Sequence, residues 1–469
     1  MNSKPSLNKI NNKVHRSRTK ARTPANKTDA GFSRLNAHVL DFLKNVFSQH
    51  GLLAPIIKLG FSGGMDSCVL LASLVEARKK LAFDLHVIHV HHGLSPNADH
   101  WAAFCESICR DYGLLCKIER VTVDKKSGLG IEASARNARY QALMYGQFDY
   151  LVLAHHQDDQ AETLLLQLFR GAGLKGLSAM ASISNDGRLL RPFLDIPRQH
   201  IEACAKAAKL SWIEDESNDD LYFDRNYCRH QLMPIIDARF PAASKTLARS
   251  ASHIAEGACL LDELAEIDAK TYLVENTLKV DALKNLSRAR AINLLRWWLS
   301  QSKVLMPSKS RLDEMFAQLC AAKSDTRLKV QLNNVQLRRY QGFVYIEPEK
   351  PASNFDLLWQ GEGKLVMPDG SNLIFEYTLG QGLAIQRLGV HKLRITNRLG
   401  GEKFKPDLNR PTRTLKYLLQ EINMPPWQRE RLPLVYLDDS LAVVPNVGVN
   451  CQMQATGDEQ GLVITWQPS

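Results

Sequence analysis

No Cys-x-x-Cys pair occurs anywhere in the 469 residues. The nine cysteines are odd in number and scattered. That pattern argues for reduced thiols and against a zinc ribbon or an iron–sulfur site. Long apolar runs are missing too, none approaching the ~18 residues a membrane span needs. No apolar stretch follows the first basic residues, so the N-terminus does not read as a secretory signal and a cytoplasmic protein is expected. Acidic residues are absent from positions 1–28, which hold eight Lys/Arg and leave only +3 of the net charge of +11 for the rest of the chain. Residues 1–30 therefore read as a disordered basic tail. Such a tail attracts RNA through counterion release, or serves only as a solubilising extension. A lysine is also missing from the glycine turn "FSGGMDS", where a nucleoside triphosphate cradle would carry one.

What is present is ordinary globular composition, 45% hydrophobic and 23% charged. From about residue 33 to 215, short runs rich in Val, Ile and Leu (55–61, 85–90, 115–121, 149–154) alternate with amphipathic segments (66–79, 98–112, 131–146, 158–170). This alternation predicts a doubly wound parallel sheet in a catalytic α/β domain over 31–235. Apolar spacing of three and four residues predicts a mainly helical domain over 236–350, ending in a β-hairpin near 326–348. A Pro/Gly-bearing linker precedes a small α+β domain at 360–469 with one helix near 412–422.

Five motifs carry the chemistry. Ser62, Gly63, Gly64, Met65, Asp66 and Ser67 sit between a strand and a helix, where free N–H groups and the helix dipole make an anion nest. Asp66 repels phosphate, so it reads as a magnesium ligand or a helix N-terminal carboxylate. "HVIHVHHGL" places His89 and its neighbours at the carboxyl end of the second strand. "AHHQDDQAET" places His155, His156, Asp158 and Asp159 at the end of the fourth, where open parallel sheets bind ligands. Binuclear metal ligation through His91, His155 and Asp158 is the competing reading of these side chains. "GIEASARNARY" sets Arg136 and Arg139 on one helix face, suited to clamping pyrophosphate or RNA backbone. "LYFDRNYCRH" interleaves Arg225, Asn226 and Arg229 with aromatic rings, a mixture suited to RNA.

In this order the motifs resemble the N-type ATP pyrophosphatase, or PP-loop, family. Within it they are most similar to the long form of its lysidine-forming tRNA ligases, through "HHQDDQAETLLLQLFRGAGLKGL", "WIEDESNDDLYFDRNYCRHQLMP" and "RLGGEKFKPDLNRPTRTLKYLLQEINMPPWQRERLPLVY". The resemblance implies an adenine nucleotide alpha-hydrolase-like fold and a requirement for ATP and Mg2+. It implies two substrates besides ATP: an isoleucine tRNA with a CAU anticodon and free L-lysine. The wobble cytidine would be adenylated and then attacked by lysine. It further implies that the Ser62–Ser67 loop and His89 bind ATP, with Asp66 on magnesium. Arg136 and Arg139 would stabilise developing charge, and Asp158 or Asp159 would receive the lysine ammonium. Arg170, Arg225, Asn226, Arg229, Arg398 and Lys405 would bind tRNA. Another ATP-dependent tRNA-modifying enzyme, such as a thiolase, is the alternative; it needs a catalytic cysteine pair. The oligomeric state is open, a dimer being one candidate.

Overall fold

The computed structural model describes residues 30–124, 130–321, 328–333, 335–348, 354–389, 392–409 and 411–468. The basic tail, Arg410 and the start of the expected linker lie outside the described residues. The chain divides into two units, up to Leu260 and from Leu261 onward.

In the first unit, helix α1 (Ala30–His50) precedes strand β1 (Ile56–Gly60), α2 (Met65–Arg78) and β2 (Asp84–His91). Then come α3 (Ala98–Asp111), β3 (Cys116–Arg120), α4 (Ile131–Met144), β4 (Tyr150–Val152), α5 (Gln157–Phe169), the short α6 (Leu174–Leu177), β5 (Leu189–Leu190) and α7 (Arg198–Ala207). All pairings within the sheet are parallel, and its order is β3-β2-β1-β4-β5. The chain winds outward from β1 in one direction and then restarts at β4 on the other side. The carboxyl ends of β1 and β4 therefore border a topological switch point, where such sheets bind ligands. The four long apolar runs became the first four strands because helices cover both faces, so β1 and β4 are buried along nearly their whole length. Helix α2 is apolar almost all round and lies in the core with α1, α7 and the sheet.

Beyond α7, the segment 224–239 folds as α8 (Asp224–Tyr227), a π-helical turn (Cys228–Leu232) and α9 (Met233–Arg239). Cys228 and Met233 pack against Ala161 and Leu165 of α5. Helix α10 (Ala243–Tyr272) carries the chain onward.

The second unit joins three helices (280–285, 288–301 and 309–321) to a five-stranded antiparallel sheet. The expected hairpin is three of its strands: Lys329–Leu332, Val335–Tyr340 and Phe343–Pro348. The C-terminal part holds one five-stranded and one four-stranded antiparallel sheet around a shared core, with helices Leu415–Glu421 and Pro426–Arg431. No helix among the described residues is long and apolar enough to cross a membrane.

Candidate active site at the sheet switch point

The glycine turn leaves β1 at Gly60 and enters α2 at Met65. Gly63 has φ +80°, and a Cβ there would lie 2.9 Å from both Cys105 Sγ and Ile213 Cδ1. Only glycine fits that conformation and that space. The turn is braced from several sides. The Gly63 carbonyl accepts from Ile213 N at 2.9 Å and from Cys68 Sγ at 3.3 Å. The Ser67 hydroxyl donates to Gly64 O at 2.9 Å and lies 3.1 Å from Ser62 Oγ. The first turn of α2 leaves the N–H groups of Met65, Asp66 and Ser67 without carbonyl partners in their own helix, which makes an anion site.

His89 packs against the turn through the Phe61 carbonyl. It is buried beneath the turn, and its Nδ1 donates to the Phe61 carbonyl at 2.9 Å. Burial pushes its pKa down, so the ring is neutral with the proton on Nδ1. His89 thus supports from below the turn that is expected to bind ATP.

Across the switch point, β4 leads into His156 at the start of α5. Its ring is buried and sits among three carboxylates. Nε2 lies 3.7 Å from Asp66 Oδ2 and 3.5 Å from Asp159 Oδ2, and Nδ1 lies 3.7 Å from Asp158 Oδ2. His156 is thus the bridge between the glycine turn and the acidic start of α5. The sequence offered one signal for it, its place beside two aspartates at a strand's carboxyl end. Asp66 Oδ1 is buried with no hydrogen-bond partner. Burial raises the Asp66 pKa, against the pull of His156. An unpartnered, desolvated carboxylate oxygen beside an anion nest fits a magnesium ion, which usually takes one or two carboxylates and completes its shell with water and phosphate. No group of three or more His, Cys, Asp or Glu suited to a metal occurs among the described residues. His91 instead meets Asp99 at 3.2 Å and Arg120 at 3.2 Å.

Asp158 and Asp159 have different surroundings. Asp158 Oδ2 accepts from the Arg198 backbone N–H at 2.8 Å, and the carboxylate is partly open. Asp159 is buried, and its Oδ1 accepts from Arg225 Nη2 at 3.0 Å and Arg229 Nη2 at 3.1 Å. Glu162, one turn on, accepts from Arg225 Nε at 2.9 Å and Arg229 Nε at 2.6 Å. Burial alone would raise the Asp159 pKa, but His156 and Arg225 hold it well below the ordinary carboxylate range. The two arginines expected on tRNA are therefore turned inward, onto two acids of α5. Asn226 is also committed, its amide donating to Ser217 O and Asp220 O at 2.8 and 2.9 Å.

Arg139 keeps its Nε buried without a partner, and burial lowers its pKa. It shares its surroundings with His155, Arg225 and His92. Burial pushes His155 down to about 3 and His92 to about 4, so both rings are neutral. Arg136 is exposed and lies over the Tyr140 ring, 5.4 Å from its centroid. Arg170 is exposed, 3.4 Å from Asp224. Arg398 and Lys405 belong to the second unit, where Arg398 Nε donates to Glu402 at 3.1 Å and the Lys405 carbonyl accepts from Cys451 N. The two cysteines near the turn, Cys68 and Cys105, are buried, and burial pushes both thiols up, which does not suit nucleophilic sulfur chemistry.

Residues 34–236 match the family model described as a PP-loop domain. Residues 278–345 match the TilS substrate binding domain, and 393–466 the TilS substrate C-terminal domain. The tRNA(Ile)-lysidine synthase of Nitrosomonas europaea is 39% identical, over 96% of this chain and 98% of its own length. That of Azoarcus sp. is 42% identical, over 87% of this chain and 91% of its own. The chain belongs to the tRNA(Ile)-lysidine synthase family. It is an enzyme, with the PP-loop fold at its N-terminal half. Among solved structures, a TILS C-terminal domain is 20% identical, with TM-score 0.22 over 25% of this chain and 98% of that one. The U34-tRNA thiolase NcsA of Methanococcus maripaludis is 17% identical, with TM-score 0.40 over 48% of this chain and 79% of that one. In this tRNA(Ile)-lysidine synthase family member, the turn, Asp66, His156 and the α5 acids all border the one switch point.

Proposed function

We propose that the chain ligates free L-lysine to C2 of the wobble cytidine in an isoleucine tRNA with a CAU anticodon, using ATP and releasing AMP and pyrophosphate. The coarser part, ATP-dependent formation of lysidine in tRNA, is supported by the family and by the named relatives. The observation that carries the finer reading is the pairing of Asp66, with its unpartnered Oδ1, and His156 across the mouth between β1 and β4.

In the first step the cytidine C2 oxygen attacks the α-phosphorus, and the bond to the β-phosphate oxygen breaks. The N–H groups at the start of α2, with Ser62 and Ser67, receive the pyrophosphate. Asp66 would hold magnesium, which would supply charge neutralisation at the phosphates. The unpaired Nε of Arg139 supplies a donor for charge developing on the phosphoryl oxygens.

In the second step the lysine ε-nitrogen attacks C2, and the C2–O bond breaks as AMP leaves. That nitrogen arrives as an ammonium, with a pKa of about 10.4, and must shed a proton to attack. Asp159 is a poor base because His156 and its guanidinium partners keep it ionised. Its charge is suited to attracting and aligning the ammonium. Asp158, partly open and oriented by the Arg198 N–H, is the carboxylate whose position suits accepting the proton.

The test is to incubate the chain with unmodified tRNA transcript, ATP-Mg and labelled lysine. The expected result is one lysine incorporated per AMP released. No incorporation beside an active control would overturn the proposal.

A further inference from the structure

The two segments whose inner faces build the acid–guanidinium cluster leave aromatic rings on their outer faces. In α5, Ala161, Leu165 and Phe169 form one row at four-residue spacing. The first two are buried against Cys228 and Met233, while Phe169 at the end of the row is 69% exposed. In the facing segment, Arg225, Cys228 and Arg229 point inward, which turns Tyr227 outward at 49% exposure. Tyr222 is 87% exposed, and its ring meets Phe223 edge-on at 5.8 Å. The Arg170–Asp224 contact at 3.4 Å brings the end of α5 beside the start of α8. Phe169 lies about 15 Å along α5 from Asp159, a reach of a few unpaired nucleotides from the site.

The local charge says what such a face binds. Asp219, Asp220 and Asp224 lie in the same short segment as Tyr222 and Tyr227, and Arg225 and Arg229 beside them are spent inward on Asp159 and Glu162. Phosphate backbone is repelled from such a surface. Bases are not, since stacking on an aromatic ring needs no cation.

We propose that Phe169, Tyr222 and Tyr227 are a stacking platform for unpaired bases of the tRNA anticodon loop that flank the modified cytidine. This rests on the ligase reading of the adjoining site. Affinity here comes from rings, and the salt-dependent share of tRNA binding comes from elsewhere in the chain.

The experiment measures binding of an isolated anticodon stem-loop to the full chain at several salt concentrations, for wild type, Tyr222→Ala, Phe169→Ala, Tyr227→Ala and Tyr222→Trp. Each alanine variant should weaken binding roughly tenfold, with the slope of log affinity against log salt unchanged, whereas Tyr222→Trp stays within about twofold. A 2-aminopurine placed beside the wobble position should be quenched on binding wild type and less so on binding Tyr222→Ala. Unchanged fold stability in thermal melts separates loss of stacking from loss of structure. Wild type that transfers lysine, with alanine variants binding as tightly as it does, overturns the platform alone. Wild type that transfers no lysine overturns the ligase reading itself.

Discussion

Asp66 carries two opposite consequences on one side chain. Its charge is unfavourable in the fold, because burial raises its pKa, yet the proposed chemistry needs that charge. Asp66→Asn should therefore abolish pyrophosphate release while leaving the melting temperature unchanged or higher and tRNA binding within a few-fold. A fall in melting temperature would make Asp66 a structural residue. Asp159 and Glu162 behave the other way. Both are buried against Arg225 and Arg229, and removing one partner strands a charge. Glu162→Gln should cost about 3 kcal/mol in urea unfolding. The depressed pKa of Asp159 means its stabilisation is complete above the unfolded value and lost as pH falls through the folded one. Wild-type stability should accordingly drop below about pH 4, and Asp159→Asn should flatten that drop.

At the scale of elements, the strand–turn–helix unit is held by what packs around it. The turn after β1 rests on Cys105 from α3 and Ile213 from the segment after α7. Gly63→Ala should cost about 1–3 kcal/mol through its positive φ alone, more if Cys105 cannot yield, and should weaken ATP binding; isothermal titration and thermal melts read the two effects. The central strand also tolerates a lysine. Lys58 lies buried in β1, with its ammonium donating to the carbonyls of Leu143 and Tyr145 at the end of α4 and lying 4.1 Å from the Phe148 ring centroid. A cation at a helix C-terminus satisfies carbonyls that the helix leaves open.

At the scale of the whole molecule, the second unit is one body built from two parts that match different family models. Arg431, buried, donates to Asp369 at 3.0 Å and to Glu347 at 3.4 Å, and Trp427 Nε1 donates to Glu347 at 2.8 Å. This ties helix Pro426–Arg431 to the hairpin strand that ends at Pro348. Arg431→Met leaves two buried carboxylates without their cation and should lower the stability of this unit by about 3–5 kcal/mol. Pairing it with Glu347→Gln should restore part of the loss. Calorimetry should show the shift in the second unit's transition and not in the first.

Apolar periodicity and glycine placement made the parallel sheet and the strand–turn–helix legible, because those depend on near neighbours in the chain. The four apolar runs 55–61, 85–90, 115–121 and 149–154 became strands within a few residues of those bounds, except that β4 stops at Val152. The two-residue β5 was too short to show a period, and the Leu273–Val274 and Thr277–Lys279 strands were hidden beside a long helix. The direction in which polar side chains point was not legible. Arg225 and Arg229 look like an RNA-binding pair in sequence, but Asp159 and Glu162, more than sixty residues earlier, claim them. The bond from His89 Nδ1 to the Phe61 carbonyl was not legible either. Which partner a buried charge or ring finds depends on contacts distant in sequence, and only tertiary packing brings those together.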